Sequence, residues 1–287
     1  MKKWGLVILV ILLGYAVYEY RHELQQDIRI VMGEQSDQGG FAEHSKTIKI
    51  VLEDQVHQGD LLLVNKEYPV HPGSVKADII DLMEHQDIVQ GYGLLDNGIR
   101  LSKQVAEKFQ QMVEAAAQDG VTHFMISSGY RSFEEQELLY KEKGAAYALP
   151  AGYSEHNLGL SMDIGSTLKA MNEAPEGKWL QKNAWKYGFI LRYPKDKMQY
   201  TGIEYEPWHF RYVGLPHSGI MYEQELVLEQ YIDLLQEQRS LSATIGGERY
   251  NVSYVAVSGN APLKVPETGE VVLSGDNRGG IIVTVKE

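Results

Sequence analysis

The chain contains no cysteine among its 287 residues. Disulfide bonds and thiolate metal ligands are therefore excluded, and a metal ion has to be held by imidazole nitrogens and carboxylate oxygens. Basic residues are also scarce, with 27 lysines and arginines against 39 aspartates and glutamates and a formal net charge of -12. This excess of negative charge argues against nucleic acid or an anionic membrane surface as the partner.

Long apolar runs are lacking except near the N-terminus, where an uncharged stretch covers residues 4–18. Two lysines precede this stretch, and Glu19 and Arg21 close it. The run is short for a bilayer span, but its aromatic ends suit the membrane interface, and the lysines place its start in the cytoplasm. We expect residues 1–21 to be an uncleaved single-pass anchor in the cell membrane, with the rest of the chain extracytoplasmic. A signal peptide cut after Ala16 is the alternative.

Changes in composition divide the remaining chain into three parts. Residues 22–46 are largely polar, contain a pair of glycines and lack apolar periodicity, so they are predicted to be a linker. Residues 47–239 combine helical and strand patterns and form the predicted main domain. Residues 240–287 hold β-like segments separated by glycine pairs, which is typical of a small β appendage.

Local patterns within the main domain predict an α+β fold. Apolar residues recur at helical spacing over residues 102–118, and a long amphipathic helix is expected over residues 217–238. Ser132 followed by Glu135 is a capping box that opens another helix. Further segments are predicted as strands at 47–51, 61–64, 123–127 and 189–192 and as a helix at 179–187. We therefore expect a small, mainly antiparallel sheet flanked by helices, with a short C-terminal β appendage.

Two short segments carry the candidate chemistry, SEHNLGLSMD at residues 154–163 and EPWH at residues 206–209. Between them they supply the nitrogen and oxygen donors of a catalytic zinc site, and these donors are His156, Asp163 and His209. Such a site keeps its fourth position open for water. Glu206, three residues before His209, is the natural general base for that water. The combination predicts a metallopeptidase.

The spacing also predicts where these side chains lie. Gly159, followed by alternation of polar and apolar residues, indicates a turn that runs into a strand carrying Asp163. Pro207 argues against a helix interior around His209, because proline lacks the amide donor and clashes there. A strand carrying His209 would leave Glu206 at its entrance. The metal site is therefore predicted between a loop and a sheet.

Four blocks of sequence follow one another along the chain: SSGYRSFEEQ, LPAGYSEHNLGLSMDIG, NAWKYGFILRYPKDK and TGIEYEPWHFRYVGLPHS. Together they closely resemble the VanY-type D-alanyl-D-alanine carboxypeptidases, within a zinc peptidase family that also contains peptidoglycan L,D-carboxypeptidases. The likeness covers residues 62–238. One departure is Ser161, where relatives often carry alanine, and we expect it to tune the site rather than abolish it.

The resemblance implies zinc on the three ligands, catalysis by Glu206 and substrate contact by Arg131, which lies at a predicted strand-to-helix junction. Ser154 and Gln136 are further candidates to bind the terminal carboxylate or orient the peptide. The implied partner is a peptidoglycan stem peptide or precursor ending in D-Ala-D-Ala. In the hypothesis, water activated by zinc and Glu206 attacks the penultimate D-alanine carbonyl, and zinc and Arg131 stabilise the oxyanion. Release of the terminal D-alanine removes the end that glycopeptide antibiotics bind, which implies a part in vancomycin-type resistance.

Three alternatives remain at the level of sequence. Ser166 and Lys169 have the serine-to-lysine spacing of serine D,D-carboxypeptidases, but no lysine-threonine-glycine strand follows. A zinc-containing wall-binding module without turnover has no need for a base such as Glu206. An L,D-carboxypeptidase acting on tetrapeptide stems differs only in substrate, and only the VanY-like character of the blocks weighs against it.

Overall fold

Strands form two five-stranded sheets in the part of the chain that the computed structural model describes, namely residues 28–32, 45–48, 51–144, 148–257 and 262–287. The strands are β1 (Ile28–Met32), β2 (Ser45–Ile48), β3 (Ile79–Asp81), β4 (Tyr92–Leu94), β5 (Arg100–Ser102), β6 (Phe124–Ser128), β7 (Ser161–Ser166), β8 (Phe189–Leu191), β9 (His209–Tyr212), β10 (Ser240–Ile245), β11 (Glu248–Ala256), β12 (Leu263–Pro266), β13 (Glu270–Gly275) and β14 (Gly280–Lys286). The α-helices are α1 (Leu52–Gln55), α2 (Lys103–Gln118), α3 (Phe133–Lys143), α4 (Pro175–Asn183), α5 (Met198–Thr201), α6 (His217–Glu223) and α7 (Leu228–Gln238).

The first sheet, called the site sheet below, has the strand order β4-β6-β7-β9-β8. Strands β4 and β6 run parallel, and the other three pairs of adjacent strands in this sheet are antiparallel. Helix α2 packs on this sheet through its apolar stripe. Phe109 and Met112 of the helix share one buried core with Phe124 of β6 and Met162 of β7. The predicted α+β class with a mainly antiparallel sheet is confirmed.

The second sheet, called the C-terminal sheet, has the order β1-β10-β11-β14-β13. Strand β1 pairs antiparallel with β10, and β2 pairs with β12 in a separate two-stranded sheet. Both β1 and the start of β2 lie inside residues 22–46, so the predicted linker differs from the structure at these positions. Local pattern did not reveal β1 because its pairing partner comes from the far end of the chain.

The segment at residues 61–64 was predicted to be a strand, and the structure shows instead a buried connection without strand pairing. Leu62 and Val64 belong to the core beneath the site sheet, whereas Leu61 and Leu63 belong to the core beneath the C-terminal sheet. The segment therefore lies between two cores and is buried on both sides. Its Leu63 amide donates to the carbonyl of Asp276 at 3.2 Å rather than to a strand.

The long helix predicted over residues 217–238 is divided into α6 and α7. Glu225 lies between them with a φ of 51°, and the Leu226 amide donates back to the carbonyl of Met221 at 2.8 Å. A left-handed residue at this point ends the first helix and turns the chain. Both helices bury apolar residues against the C-terminal sheet, so the amphipathic pattern continues across the break.

No helix in the described ranges is both long and apolar enough to cross a membrane. The predicted anchor at residues 1–21 lies outside those ranges.

A buried histidine between the helices and the C-terminal sheet predicts a pH dependence of stability. Nδ1 of His217 lies 2.7 Å from the Tyr231 hydroxyl, and its Nε2 lies 2.9 Å from Oγ1 of Thr284. Burial lowers the pKa of His217 to about 3 from its usual 6.5. Between those pH values the unfolded chain binds a proton that the folded chain does not, so stability falls as the pH drops below about 6.5.

We expect the unfolding free energy to fall by about 2 kcal/mol more in the wild type than in His217→Gln between pH 7 and pH 5. Glutamine does not titrate in this range but can keep a polar contact with Tyr231 or Thr284. Urea unfolding of both proteins at the two pH values measures the difference. Equal pH dependence in the two proteins would show that His217 does not titrate on unfolding as described.

Candidate metal and catalytic site

Two neighbouring strands position the first two candidate ligands. Asp163 of β7 and His209 of β9 are register partners across the antiparallel pair. Their neighbours Met162 and Phe210 are fully buried, which fixes the two strands against the core. Oδ1 of Asp163 lies 3.3 Å from Nδ1 of His209, so both donors face one point at the end of the strand pair.

The third candidate ligand, His156, lies on a one-turn 3-10 helix, Glu155–Asn157, that precedes β7. Its Nδ1 lies 2.6 Å from the carbonyl oxygen of Gly129, and only a protonated Nδ1 can donate there. This assigns the free lone pair to Nε2, which lies 3.5 Å from Oδ2 of Asp163. Gly159, with a φ of 83°, provides the predicted turn from this helix into the strand.

The three side chains fit a zinc ion. One donor atom from each of His156, Asp163 and His209 lies within 4.8 Å of the others. Oδ1 of Asp163 is buried and has no hydrogen-bond partner among the described residues, as expected of an atom reserved for a metal. Two imidazoles and one carboxylate are also the donor types that catalytic zinc uses.

Electrostatics favour a cation at the same point. Burial disfavours the charged form of His209, but the neighbouring carboxylates of Asp163 and Glu155 outweigh it and raise the pKa of His209 to about 9. The pocket therefore attracts positive charge, which a proton supplies in the metal-free protein and a divalent ion supplies when it binds.

Glu206 lies beside this point without belonging to the ligand triangle. Its Oε2 is 3.6 Å from Nδ1 of His209, and its side chain keeps 30% of its surface exposed. The backbone amide of Glu206 donates to the carbonyl of Tyr193 at 3.1 Å, and β9 begins only at His209. This is the strand-entrance position predicted from Pro207. Burial raises the pKa of Glu206, an effect that His209 opposes and that Asp163 and Glu155 reinforce.

Arg131 lies where β6 passes into α3, as predicted. Its Nη1 donates to Oε1 of Gln136 at 2.6 Å, and its Nη2 donates to the Ser128 hydroxyl at 3.0 Å. Burial lowers the pKa of Arg131 while Asp163 and Glu135 oppose that change, and a guanidinium remains charged in any case. Ser128 is the register partner of Asp163, so the arginine lies on the site side of the sheet.

Gln136 and Ser154 were predicted to touch the substrate, and the structure gives each a protein partner. Gln136 is only 1% exposed, and its amide also donates to the carbonyl of Leu149 at 2.6 Å. We infer that it orients Arg131. The Ser154 hydroxyl accepts from the amide of His156 at 3.4 Å and so caps the 3-10 helix. Direct contact of either residue with a peptide stays a prediction.

Two cavities are described, and only the smaller one adjoins the candidate site. One of about 360 Å³ opens beside Arg131 and is lined by Ser127, Ser128, Gly129 and Tyr130. It adjoins the carbonyl that holds His156, so it is a candidate cleft for a bound peptide. A larger cavity of about 630 Å³ lies between β8 and α6, and none of the candidate site residues lines it.

Sequence reasoning missed Glu155, which is 1% exposed and fully enclosed beside His156. Its carboxylate accepts hydrogen bonds from Nε of Arg192 at 2.8 Å and from Nη1 of Arg211 at 2.7 Å. Burial opposes ionisation, but Arg211 and Arg192 hold the pKa of Glu155 well below its usual range. The available signal was an arginine in each of two apolar strand segments, because a buried arginine requires a buried carboxylate.

Two further side chains differ from or extend the sequence interpretation. Trp208, next to the candidate ligand His209, is 42% exposed. Ser166, the nucleophile of the serine-enzyme alternative, donates to Oε2 of Glu176 at 2.7 Å. A hydroxyl that donates to a carboxylate on α4 is not arranged for attack by way of Lys169.

Comparison with known proteins agrees with the geometry. Residues 98–215 match the family model described as VanY, D-alanyl-D-alanine carboxypeptidase. A D-alanyl-D-alanine carboxypeptidase of Enterococcus faecium is 50% identical over 293 residues, which cover 99% of this chain and 96% of the relative.

Two solved structures are similar as well. The vancomycin resistance D,D-dipeptidase VanXYg, in complex with a D-Ala-D-Ala phosphinate analogue, has a TM-score of 0.70 and 27% identity, covering 91% of this chain and 99% of its own. A mutant of the D,D-pentapeptidase VanY from a VanB-type resistance cassette, in complex with Zn(II), has a TM-score of 0.50 and 33% identity, covering 60% of this chain and 98% of its own.

Proposed function

The chain belongs to the VanY family of D-alanyl-D-alanine carboxypeptidases, and we propose that it is a zinc enzyme that removes the terminal D-alanine from peptidoglycan stem pentapeptides. The observation that carries this proposal is the convergence of His156, Asp163 and His209 on one point, with Glu206 beside it. The prediction of a metallocarboxypeptidase is confirmed by the carboxypeptidase that matches almost the whole chain together with the VanY structure in complex with Zn(II).

His156, Asp163 and His209 would hold the zinc ion. Zinc at such a site lowers the pKa of water and polarises a carbonyl group. The strand pair β7 and β9 keeps two of these ligands at fixed register, and the Gly129 carbonyl fixes the ring of the third. Little reorganisation is therefore required of the protein when the metal binds.

Glu206 is proposed as the general base. Its carboxylate is close to the ligand triangle, yet part of its surface remains open to solvent and substrate. Burial raises its pKa, which makes the carboxylate a better proton acceptor than an exposed glutamate. Glu206 would accept a proton from the attacking water and pass it to the amine of the departing D-alanine.

Arg131 is proposed to bind the reacting end of the peptide and stabilise the negative charge that develops on the carbonyl oxygen. Gln136 and Ser128 hold its guanidinium from one side, so the group is oriented before substrate arrives. Electrostatic stabilisation of this kind contributes about 3 kcal/mol to lowering a barrier. The cavity beside Arg131 has room for the preceding residues of the stem.

The proposed substrate belongs to the cell wall, so we propose that the described part of the chain acts outside the cytoplasm, held by the anchor predicted at residues 1–21. Loss of the terminal D-alanine removes the end of the stem that glycopeptide antibiotics bind. The likeness to a vancomycin resistance D,D-pentapeptidase supports such a role for this chain.

The test of the substrate uses the full-length chain in detergent with synthetic pentapeptide and tetrapeptide stems. We expect D-alanine to be released from the pentapeptide and not from the tetrapeptide, with products followed by mass spectrometry. A β-lactam should not inhibit the release, because no acylated serine is involved. Release from the tetrapeptide alone would assign the chain to the L,D-carboxypeptidases instead.

A further inference from the structure

Four charged side chains are buried together beneath the metal site. They are two arginines and two glutamates, namely Glu155, Arg192, Arg211 and Glu229, and none is more than 9% exposed. Arg192 donates from Nη1 and Nη2 to the two carboxylate oxygens of Glu229 at 2.9 and 2.6 Å. The charges balance, which is the condition for burying such groups without a large loss of stability.

The two oxygens of Glu155 have different partners. Oε1 accepts hydrogen bonds from both guanidinium groups, that of Arg192 at 2.8 Å and that of Arg211 at 2.7 Å. Oε2 accepts a hydrogen bond from the Ser161 hydroxyl at 3.1 Å and lies 3.4 Å from Nε2 of His209. The arginines thus anchor one oxygen and leave the other directed at a metal ligand.

The two ring nitrogens of His209 face different groups, and Nε2 is the one directed at Glu155. Its Nδ1 faces Asp163 and the ligand triangle, whereas its Nε2 is buried and lacks a fully formed hydrogen bond within the described ranges. The Glu155 oxygen is an acceptor directed at that atom. A proton on Nε2 would satisfy both groups and leave the lone pair of Nδ1 for a metal ion.

We propose that Glu155 is a positioning residue that holds His209 with its proton on Nε2, and that Ser161 weakens this hold by donating to the same carboxylate oxygen. The inference rests on the zinc site of the proposed function. It gives Ser161 a physical role, since without its hydroxyl the Oε2 atom of Glu155 would face His209 alone.

The proposal also extends the metal site beyond the segment that matches the family model. That segment ends at residue 215, whereas Glu229 lies on α7. Through Arg192, this glutamate fixes the guanidinium that in turn fixes Glu155. Helix α7 therefore supports the position of a zinc ligand on β9.

Zinc affinity of the full-length chain, measured by competition with a chromogenic chelator, tests the role of Glu155. We expect Glu155→Gln and Glu155→Asp each to bind zinc about 10- to 100-fold more weakly than the wild type. Aspartate keeps the negative charge between the arginines but is too short to reach His209 as well. Unfolding temperatures identify any variant that fails to fold.

Glu176→Gln is the matched control. Glu176 is also a buried glutamate, 1% exposed, and its Oε2 likewise accepts from a serine of β7, Ser166, at 2.7 Å. We expect this variant to bind zinc as the wild type does. Wild-type affinity in a folded Glu155→Asp protein would overturn the proposal, because a purely charge-balancing glutamate tolerates that change.

The Ser161→Ala variant should change zinc affinity in the opposite direction. Without the competing hydroxyl, the carboxylate is a stronger acceptor for His209, and we expect zinc to bind about three- to tenfold more tightly. Unchanged or weaker binding would overturn the role assigned to Ser161.

A tautomer measurement needs no substitution at Glu155. In the zinc-loaded wild type labelled with ¹⁵N-histidine, we expect the ring proton of His209 on Nε2 and that of His156 on Nδ1. Comparison with Ser161→Ala identifies the His209 signals. A proton on Nδ1 of His209 would refute the positioning role even though zinc is bound and D-alanine is released. If the wild type bound no zinc, the proposed function itself would fail.

Discussion

We expect the His209→Ala variant to lose its zinc and, with it, the release of D-alanine. His209 is one of only three candidate ligands among the described residues, and a site with three protein ligands cannot easily spare one. Because a catalytic metal lowers the barrier by several kcal/mol, we expect the rate to fall at least ~10³-fold without it. Asp163→Ala and His156→Ala should behave in the same way. Metal content by mass spectrometry and D-alanine release measure both effects.

A matched control distinguishes loss of a ligand from loss of any histidine. Like His156, His85 bonds through Nδ1 to a backbone carbonyl, that of Asp81 at 2.9 Å, but it lies outside the ligand group. His85→Ala should retain zinc and activity. Treatment of the wild type with a chelator should abolish activity, and added zinc should restore it. Full zinc stoichiometry in His209→Ala would show that the ligand assignment is wrong.

The elements that carry the candidate site were predictable from sequence because their signals are local. The capping box of Ser132 and Glu135 opens α3 in the structure, with both reciprocal hydrogen bonds formed. The glycine turn and the alternation after it place Asp163 on β7, and Pro207 keeps Glu206 outside β9. In each case, a few adjacent residues determine the backbone conformation.

Features that depend on distant pairings were not predictable in this way. Strand β1 forms only because β10 provides its partner, and the buried segment at residues 61–64 is defined by two cores rather than by a neighbouring strand. The role of Glu155 requires Arg192 and Arg211, which come from two other strand segments. A single sequence shows the charges but not which of them meet.

Glu206 and Glu155 show how two glutamates near one histidine take different roles through their surroundings. Glu155 is enclosed by guanidinium groups that keep it ionised, so it can orient His209 but not exchange protons with a substrate. Glu206 has no such guanidinium partner in the described part of the chain, and burial raises its pKa. A group with that environment suits proton transfer.

The Glu206→Gln variant should therefore lose activity while keeping its metal. Glutamine preserves the size of the side chain and its capacity for hydrogen bonding, but it cannot accept a proton from water. We expect turnover to fall at least ~10²-fold, the low end for removal of a general base. Zinc should remain bound at wild-type stoichiometry, because His156, Asp163 and His209 are unchanged.

Glu204→Gln is the control for this prediction, since Glu204 is an exposed glutamate two residues earlier in the same connection. It should keep both zinc and activity. Loss of zinc from Glu206→Gln would make Glu206 a ligand, and the base would have to be sought elsewhere, with Glu204 the nearest candidate. If Glu206→Gln kept both its zinc and full turnover, proton transfer by Glu206 would be excluded. The zinc site would then have to act with a different proton acceptor, because the ligand geometry on β7 and β9 does not depend on this side chain.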